Sequence, residues 1–358
     1  MKNAVKKLTC CLLVMLFLIG FLPPVKATAQ TEQETVLCAD FSEAALVLRQ
    51  KLMQRQAVIS LCVPAEAGDV QTAAEVMNQA LVHTGVPDQG DYLHWSIRKC
   101  LADAQLQSEE QSMLSLTYTV TYYTTAEQEA ELDLAVQALL EQMDVYQATE
   151  LVKVKTIYDY ICQNVRYDSL GAMTDDKLVY TAYGALISHK AVCQGYASLF
   201  YRLALELGVD ARLIPGVAKN RNHGWNIVRL DGKYYNLDAT WDADLAQRNR
   251  PYEYFLLSET DFENHTRKAA YEEEPFVSTY PMADSSYTCP IGDMNEDGLV
   301  NEDDAIYLLQ YVLMPELFPI NQSADYITDG AITMQDAIYL LQHVLLPMQF
   351  PLQGEVSN

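Results

Sequence analysis

Two sets of residues in this chain have types and spacings that could do chemistry. The first begins at Cys193, just ahead of an apolar run at helical spacing (Tyr196, Leu199, Phe200, Leu203, Leu205, Leu207) that Gly208 closes. A helix start presents unpaired backbone N–H groups and the positive end of the helix dipole, which favour a thiolate, the nucleophilic form of cysteine. Such a nucleophile needs a base to take its proton and a third group to orient that base. His223 opens the stretch HGWNIVRL, and Asp238 lies in the returning stretch YYNLDATW. Asp231-Gly232 between them is a two-residue hairpin signal. With that turn Leu230 pairs with Lys233 and Thr240 falls opposite His223. Asp238 then lies one diagonal step away on the same face, about 7–8 Å between Cα positions. A three-residue turn would put the two on opposite faces unless a bulge restored the match. Cys193, His223 and Asp238 are therefore the candidate triad, and the Cys193 N–H is the candidate oxyanion donor, with no second donor readable. A small buried cysteine filling a helix start is the plain alternative.

The second set is a pair of acidic turns. Asp293, Asn295, Asp297 and Asp304 put oxygen donors at positions 1, 3, 5 and 12 of a loop with Gly298 at position 6, as a calcium loop requires. Leu299 supplies a backbone carbonyl, and Asn301 is a further candidate at position 9. The second loop keeps Asp325, Asp329, Gly330 and Asp336, but Ile327 at position 3 cannot ligate, so this site is expected to be weaker or completed by water. The same helix pattern follows each loop: DAIYLLQYVLMPELFP from Asp304 and DAIYLLQHVLLPMQFP from Asp336. Two related halves closing one unit is the natural reading.

These residues need elements to hold them. Residues 30–148 read as an α+β companion region: helix Asp40–Gln54, strand Ala57–Val63, helix Asp69–His83, strand Leu114–Tyr123 and helix Thr125–Met143. His83 and His94 there are expected to be structural or on the surface. A helix from Glu150 leads to the Cys193 helix, followed by strands Ala211–Ile214, Gly224–Leu230 and Tyr234–Ala239. Residues 275–291 have Pro and Ser punctuation without periodicity and read as a linker. The unit after it, 292–358, is expected to fold independently once calcium is bound, so that chelation should spare the chemistry around Cys193.

Lys2, Lys6 and Lys7, the apolar run Leu12–Leu22 and Ala27-Thr28-Ala29 have the form of an export signal over residues 1–29. No later run is apolar enough to span a bilayer. A secreted, extracellular chain is the expectation. The net charge is −24, and the signal would remove four lysines and no acid. Such a balance argues against nucleic acid and anionic membrane surfaces as partners. Cys38, Cys62, Cys100, Cys162, Cys193 and Cys289 are scattered, with no CxxC pair, and fix no disulfide.

VCQGYASLFYRLALELGVDARLIPGV and HGWNIVRLDGKYYNLDATWD, with IYDYICQNVRYD before them and YEYFLLSETDF after, resemble the bacterial transglutaminase-like superfamily of papain-like thiol enzymes. The resemblance covers about residues 149–265. It implies an α+β core in which a helix-start cysteine packs on an antiparallel sheet. It further implies Cys193 as nucleophile, His223 as base and acid, and Asp238 as orienter, with no cofactor. The substrate would be an amide of a protein or peptide, attacked through a thioester. Water as acceptor gives peptidase or deamidase chemistry and a lysine amine gives transglutaminase-type transfer; hydrolysis is the favoured outcome. Trp225 and Trp241 fall where the pattern has aromatics and are expected to line the hairpin core. His189 reads as a loop residue and His265 as structural. The C-terminal repeat, over about 292–351, resembles a type I-like dockerin, which implies calcium, a cohesin module of a scaffoldin as partner, and a cellulosome-associated or cell-surface location. The residues before position 12, Glu302-Asp303 and Met334-Gln335, differ between the copies and leave the cohesin type open. The expected map is a signal peptide at 1–29, companion region 30–148, catalytic domain 149–274, linker 275–291 and dockerin 292–358. A non-catalytic adaptor built on the same fold is the competing reading.

Overall fold

The computed structural model describes residues 35–65, 70–107 and 113–352. The export signal expected over 1–29 lies outside them. Chain order begins with β1 (Thr35–Leu37), α1 (Phe41–Met53), β2 (Val58–Pro64), α2 (Val70–Ala80), α3 (Gly90–Ser96), β3 (Ile97–Leu106) and β4 (Met113–Tyr122). The four strands form one sheet in the order β1-β2-β4-β3, with β1 parallel to β2 and the other pairs antiparallel. Asp40 caps α1 by accepting from the Glu43 N–H, and the helix buries Ala44, Ala45, Leu48 and Leu52. β3 was not foreseen: IRKCLADAQL mixes charges and small side chains because it is a partly solvated edge strand. α4 (Ala126–Met143) opens on a Thr125–Gln128 capping box.

Next come α5 (Glu150–Asn164), β5 (Arg166–Tyr167), α6 (Ser169–Met173), α7 (Ala182–Ile187), β6 (Lys190–Ala191) and α8 (Cys193–Glu206). The second sheet comprises β7 (Ala211–Ala218), β8 (Arg221–Leu230), β9 (Lys233–Leu237) and β10 (His265–Arg267). It is ordered β10-β7-β8-β9 and antiparallel throughout. The expected hairpin register holds, with Leu230 opposite Lys233 and the turn at Asp231 (φ 51°) and Gly232 (φ 81°). A second turn of this kind, Lys219 (φ 46°) and Asn220 (φ 62°), joins β7 to β8 and lengthens both strands beyond the expected bounds. β9 stops at Leu237, not Ala239, because Asp238 caps α9 (Ala239–Ala246). α10 (Phe276–Thr279), α11 (Glu302–Leu313) and α12 (Met334–Leu345) complete the chain.

Packing divides the chain differently from its local patterns. One core cluster joins Tyr92 and the α4 residues Leu132, Val136 and Leu140 to Tyr158 of α5, Phe200 and Leu203 of α8, and Val228 of β8. The expected boundary at 148/149 therefore runs through a single core. The stretch 275–291, read as a linker, is also packed. Phe276 is buried, the Ala283 N–H donates to the Tyr234 carbonyl at 2.9 Å, and the Tyr287 N–H donates to the Leu256 carbonyl at 2.9 Å. Its missing periodicity reflects irregular backbone; its aromatic side chains still anchor it. α11 and α12 enclose a small core of Met294, Leu308, Ala324 and Leu340. That unit rests on α5: the Thr149 hydroxyl, which caps α5, donates to the Asp297 carbonyl, and a Cβ on Gly298 would lie 3.3 Å from the Leu151 Cβ. These contacts run against the expected independence of residues 292–358. Among the described residues no helix is long and apolar enough to cross a membrane.

Candidate active site

Cys193 is the first residue of α8, after an extended Val192 that makes no side-chain cap. Its N–H has no partner within the helix and no capping side chain competes for it. The first turn of α8 is held from two sides. Gly195 lies so close to the 177–181 turn that a Cβ would meet the Val179 carbonyl at 2.8 Å and the Thr181 carbonyl at 2.9 Å. The Gln194 side-chain amide donates to the Trp95 carbonyl at 2.9 Å.

β8 brings His223 to this helix start. Its Nε2 lies 2.7 Å from Asp238 Oδ2, and Cys193 is near enough to favour the charged ring. Burial disfavours the charged ring, but Asp238 and Cys193 outweigh it and push the imidazole up to about 10. Asp238 is buried and accepts four hydrogen bonds. Oδ1 takes the Thr240 and Trp241 N–H groups at 2.9 and 3.3 Å; Oδ2 takes His223 and, at 3.2 Å, His265 Nε2. Burial opposes its charge, yet the bonds to His223 and His265 hold the carboxyl well below the usual carboxylate range. The three residues expected as a triad are thus brought together. Asp238 reaches the site by turning into a helix cap, whereas the reading from sequence had it on a continuing strand.

A raised histidine contributes stability that is fully present below its unfolded value and lost as pH rises through the folded one. The stabilisation from the His223–Asp238 pair should therefore be full below about pH 6.5 and be lost progressively as pH rises to about 10. In an NMR titration the His223 ring is expected to remain protonated at pH 8, where an ordinary imidazole, with a pKa of about 6.5, is neutral. Asp238→Asn should bring that titration back towards the ordinary value. A His223 that titrates near neutrality in the parent protein would overturn this picture of the site.

His265 goes beyond its expected structural role. Its side chain is 1% exposed, stacks on Phe262 at 3.9 Å between ring centroids, and shares the Asp238 oxygen with His223. No local signal announces this. The pairing of β10 with β7, His265 opposite Ala218, delivers the ring to the site. Ligand atoms of His223, Asp238 and His265 lie within 4.8 Å of one another. That spacing could hold a metal ion, but both rings are already committed to hydrogen bonds with the one carboxylate.

The other expectations divide. His189 is exposed in a left-handed turn (φ 53°), away from the site. His83 bonds Tyr201 and Asp210. Trp225 is buried and donates from Nε1 to Asn236 at 3.2 Å. Trp241, expected in the hairpin core, instead lines an open cleft of about 740 Å³ beside His223. Gly224 shows how the companion region reaches this point: a Cβ there would lie 2.6 Å from the Trp95 ring.

The acidic loops share one hydrogen-bond pattern. Asp293 accepts from the Asp297 and Gly298 N–H groups, and Asp304 from those of Met294, Asn295 and Asn301. Asp325 and Asp336 repeat this with Asp329, Gly330, Tyr326, Ile327 and Thr333. Asp297 and Asp329 each accept from the N–H two residues on, at Leu299 and Ala331. Asn295 accepts from the Asp297 N–H, whereas the Ile327 side chain offers nothing at the matching place; Asn301 caps α11. Asp293, Asp304 and Asp336 are buried, and none is in an ion pair among the described residues. Burial, with Asp304 and Asp297 close by, pushes Asp293 up to about 6.

Comparison with known proteins covers part of the chain. Residues 137–239 match the family model described as the transglutaminase-like superfamily. Kyphoscoliosis peptidase of Homo sapiens is 30% identical over 146 residues, 37% of this chain and 22% of that protein. The Mus musculus protein of the same name is 30% identical over 129 residues, 33% of this chain and 20% of that one. The chain thus spans about a fifth of the length of these curated relatives. A solved structure of a TGase aligns over 53% of this chain and 56% of its own, at 16% identity and a TM-score of 0.30. Within a mixed α+β chain, the match to the transglutaminase-like superfamily model spans residues 137–239, which carry Cys193, His223 and Asp238.

Proposed function

We propose that this protein is a secreted cysteine-dependent enzyme that cleaves or transfers amide groups of proteins or peptides through a thioester. The observation that carries the reading is the His223 ring, bonded to Asp238 at 2.7 Å and close enough to Cys193 at the start of α8 to sense its charge. The Cys193 sulfur attacks the amide carbon, and the developing oxyanion meets the free N–H groups at the start of α8. His223 then protonates the departing nitrogen, the C–N bond breaks, and a thioester to Cys193 remains. Water attacks the thioester carbon next and gives up a proton to His223, the C–S bond breaks, and the acid leaves with the Cys193 thiolate and protonated His223 restored; an amine in place of water gives transfer. Asp238 holds the ring in place throughout. Intact-mass measurement after incubation with a glutamine peptide and a primary amine separates the outcomes. Gain of the amine with loss of ammonia means transfer, and a cut or conversion of glutamine to glutamate means hydrolysis. An unchanged peptide overturns the enzyme reading and leaves an adaptor.

The C-terminal pair of loops is read as a calcium-dependent dockerin that binds a cohesin module of a scaffold. The fit lies in the donor chemistry: Asp293, Asn295, Asp297, Asp304 and the Leu299 carbonyl in the first loop, and Asp325, Asp329 and Asp336 in the second. Buried carboxylates surrounded by backbone N–H groups and, at Asp336, the Thr333 hydroxyl are what a hard cation would satisfy. Exposed Ile306, Leu309, Ile338 and Leu341 along an apolar groove between α11 and α12 offer the partner a surface.

Calcium removal should therefore release cohesin and loosen residues 292–352. Because Asp297 meets Thr149 at the start of α5, it should also loosen that helix end. The pH response has a defined sign. Asp293 binds a proton more readily folded than unfolded, so without calcium the unit gains stability as pH falls from about 7 to about 5. Calcium should abolish that gain. Hydrogen exchange across 292–352, with calcium or chelator at pH 7 and pH 5, reads all of these effects. Cohesin capture that persists in chelator would sink the dockerin reading.

A further inference from the structure

The cleft beside His223 is lined by two cations and by two carboxylates that are paired elsewhere. The chain carries a net −24, yet the β7–β8 turn presents Lys219 and Arg221, both exposed, to this cleft. Neither has an acidic partner. Lys219 Nζ sits 4.1 Å over the Trp241 ring, and Arg221 is in no ion pair among the described residues. The two carboxylates lining the cleft, Asp244 and Glu253, are each already taken by an arginine at 2.8 Å, Arg248 and Arg250. What is left unpaired is positive. The turn also holds its shape, because Lys219 is fixed between a left-handed backbone and an aromatic face.

We propose that the cleft receives a substrate segment carrying aspartate or glutamate side chains close to the reacting amide, with Lys219 and Arg221 as their contacts. The proposal rests on the amide-bond reading for the identity of the reacting group, but the sign of the potential does not depend on it. An unpaired guanidinium presents a planar fork that matches a carboxylate, and Lys219 adds a second charge within the same lip. The same cations repel basic segments, so the preference is set by exclusion as well as attraction. They also repel a protonated amine, which favours water as the acceptor of the acyl group.

Two alkylating reagents test the charge directly. Iodoacetamide and iodoacetate both form an S–C bond to Cys193 and expel iodide, but iodoacetate carries one negative charge. The ratio of their rates in the parent protein is compared with that in a Lys219→Asn, Arg221→Gln double variant. Asparagine tolerates the left-handed backbone at position 219, and a thermal melt confirms that the variant is folded. The iodoacetate/iodoacetamide ratio should fall about fivefold to tenfold in the variant at low salt, and the difference should vanish near 1 M salt, where the screening length is about 3 Å. In a second arm, a glutamine peptide flanked by glutamates should protect Cys193 from iodoacetamide at about tenfold lower concentration than its lysine-flanked counterpart. A ratio that does not change in the variant, or equal protection by the two peptides, overturns the proposal. Cys193 labelling no faster than Cys289 would instead sink the enzyme reading, while the ratio would still decide the charge of the cleft.

Discussion

Cys193→Ala is expected to abolish turnover, a loss of about 10⁵–10⁶-fold, while leaving the protein folded. Losing the nucleophile of a coupled triad costs about as much as losing the whole set, because the base and its orienter then have nothing to activate. The fold should survive because Cys193 is only half-buried and α8 does not depend on its side chain. The turn at 177–181, the Gln194–Trp95 contact and the α8 core residues carry that load. Peptide turnover by mass spectrometry, beside circular dichroism and a thermal melt, checks both halves of the expectation. Activity within tenfold of the parent would remove Cys193 from the chemistry.

The largest expected effect on stability is at Asp91. Its carboxylate takes Arg212 Nε at 2.6 Å and the second guanidinium nitrogen at 2.9 Å, and also accepts the Leu213 N–H at 3.0 Å. Both side chains are buried, and Arg212 lies 4.3 Å from the Tyr280 ring. Asp91→Ala would leave an uncompensated guanidinium and an orphaned N–H inside the protein, a cost of about 3–5 kcal/mol. Replacing both partners together should cost much less, since no buried charge would then stand alone. Chemical denaturation of the single and double variants measures the difference. Equal destabilisation in the two would mean that the pair is not coupled as the geometry implies.

Much of the site could be read from residue order, and the reasons are specific. Asp231-Gly232 can hardly be anything but a tight hairpin turn, so the register of β8 on β9 followed from it. Cys193 at a helix start followed from apolar spacing and from Gly208. The helix formed by ATWDADLA was missed, although Asp238 with acidic Asp242 in the next turn is a capping signal that could have been weighed. His265 had no such signal, since its place depends on a strand pairing that spans nearly fifty residues of chain. The boundaries at 148/149 and 275–291 were misjudged for a related reason. Periodicity reports which face of a helix is apolar but not which other helix it meets, and α4 meets α7 and, through the Asp133–Arg202 ion pair, α8. In Phe276, Tyr280 and Tyr287 a few aromatic anchors do what periodic burial does elsewhere.

The contacts of Trp95 have a practical consequence. Its carbonyl holds the side chain of Gln194, next to Cys193, and its ring covers Gly224, next to His223. One residue from the companion region thus works as a clamp across the neighbours of both reactive groups. Trp95 lies before the matched stretch 137–239, and His265, which steadies Asp238 from the other side, lies after it. A fragment trimmed to that matched segment would keep every atom of Cys193, His223 and Asp238 and lose the jig that sets their spacing.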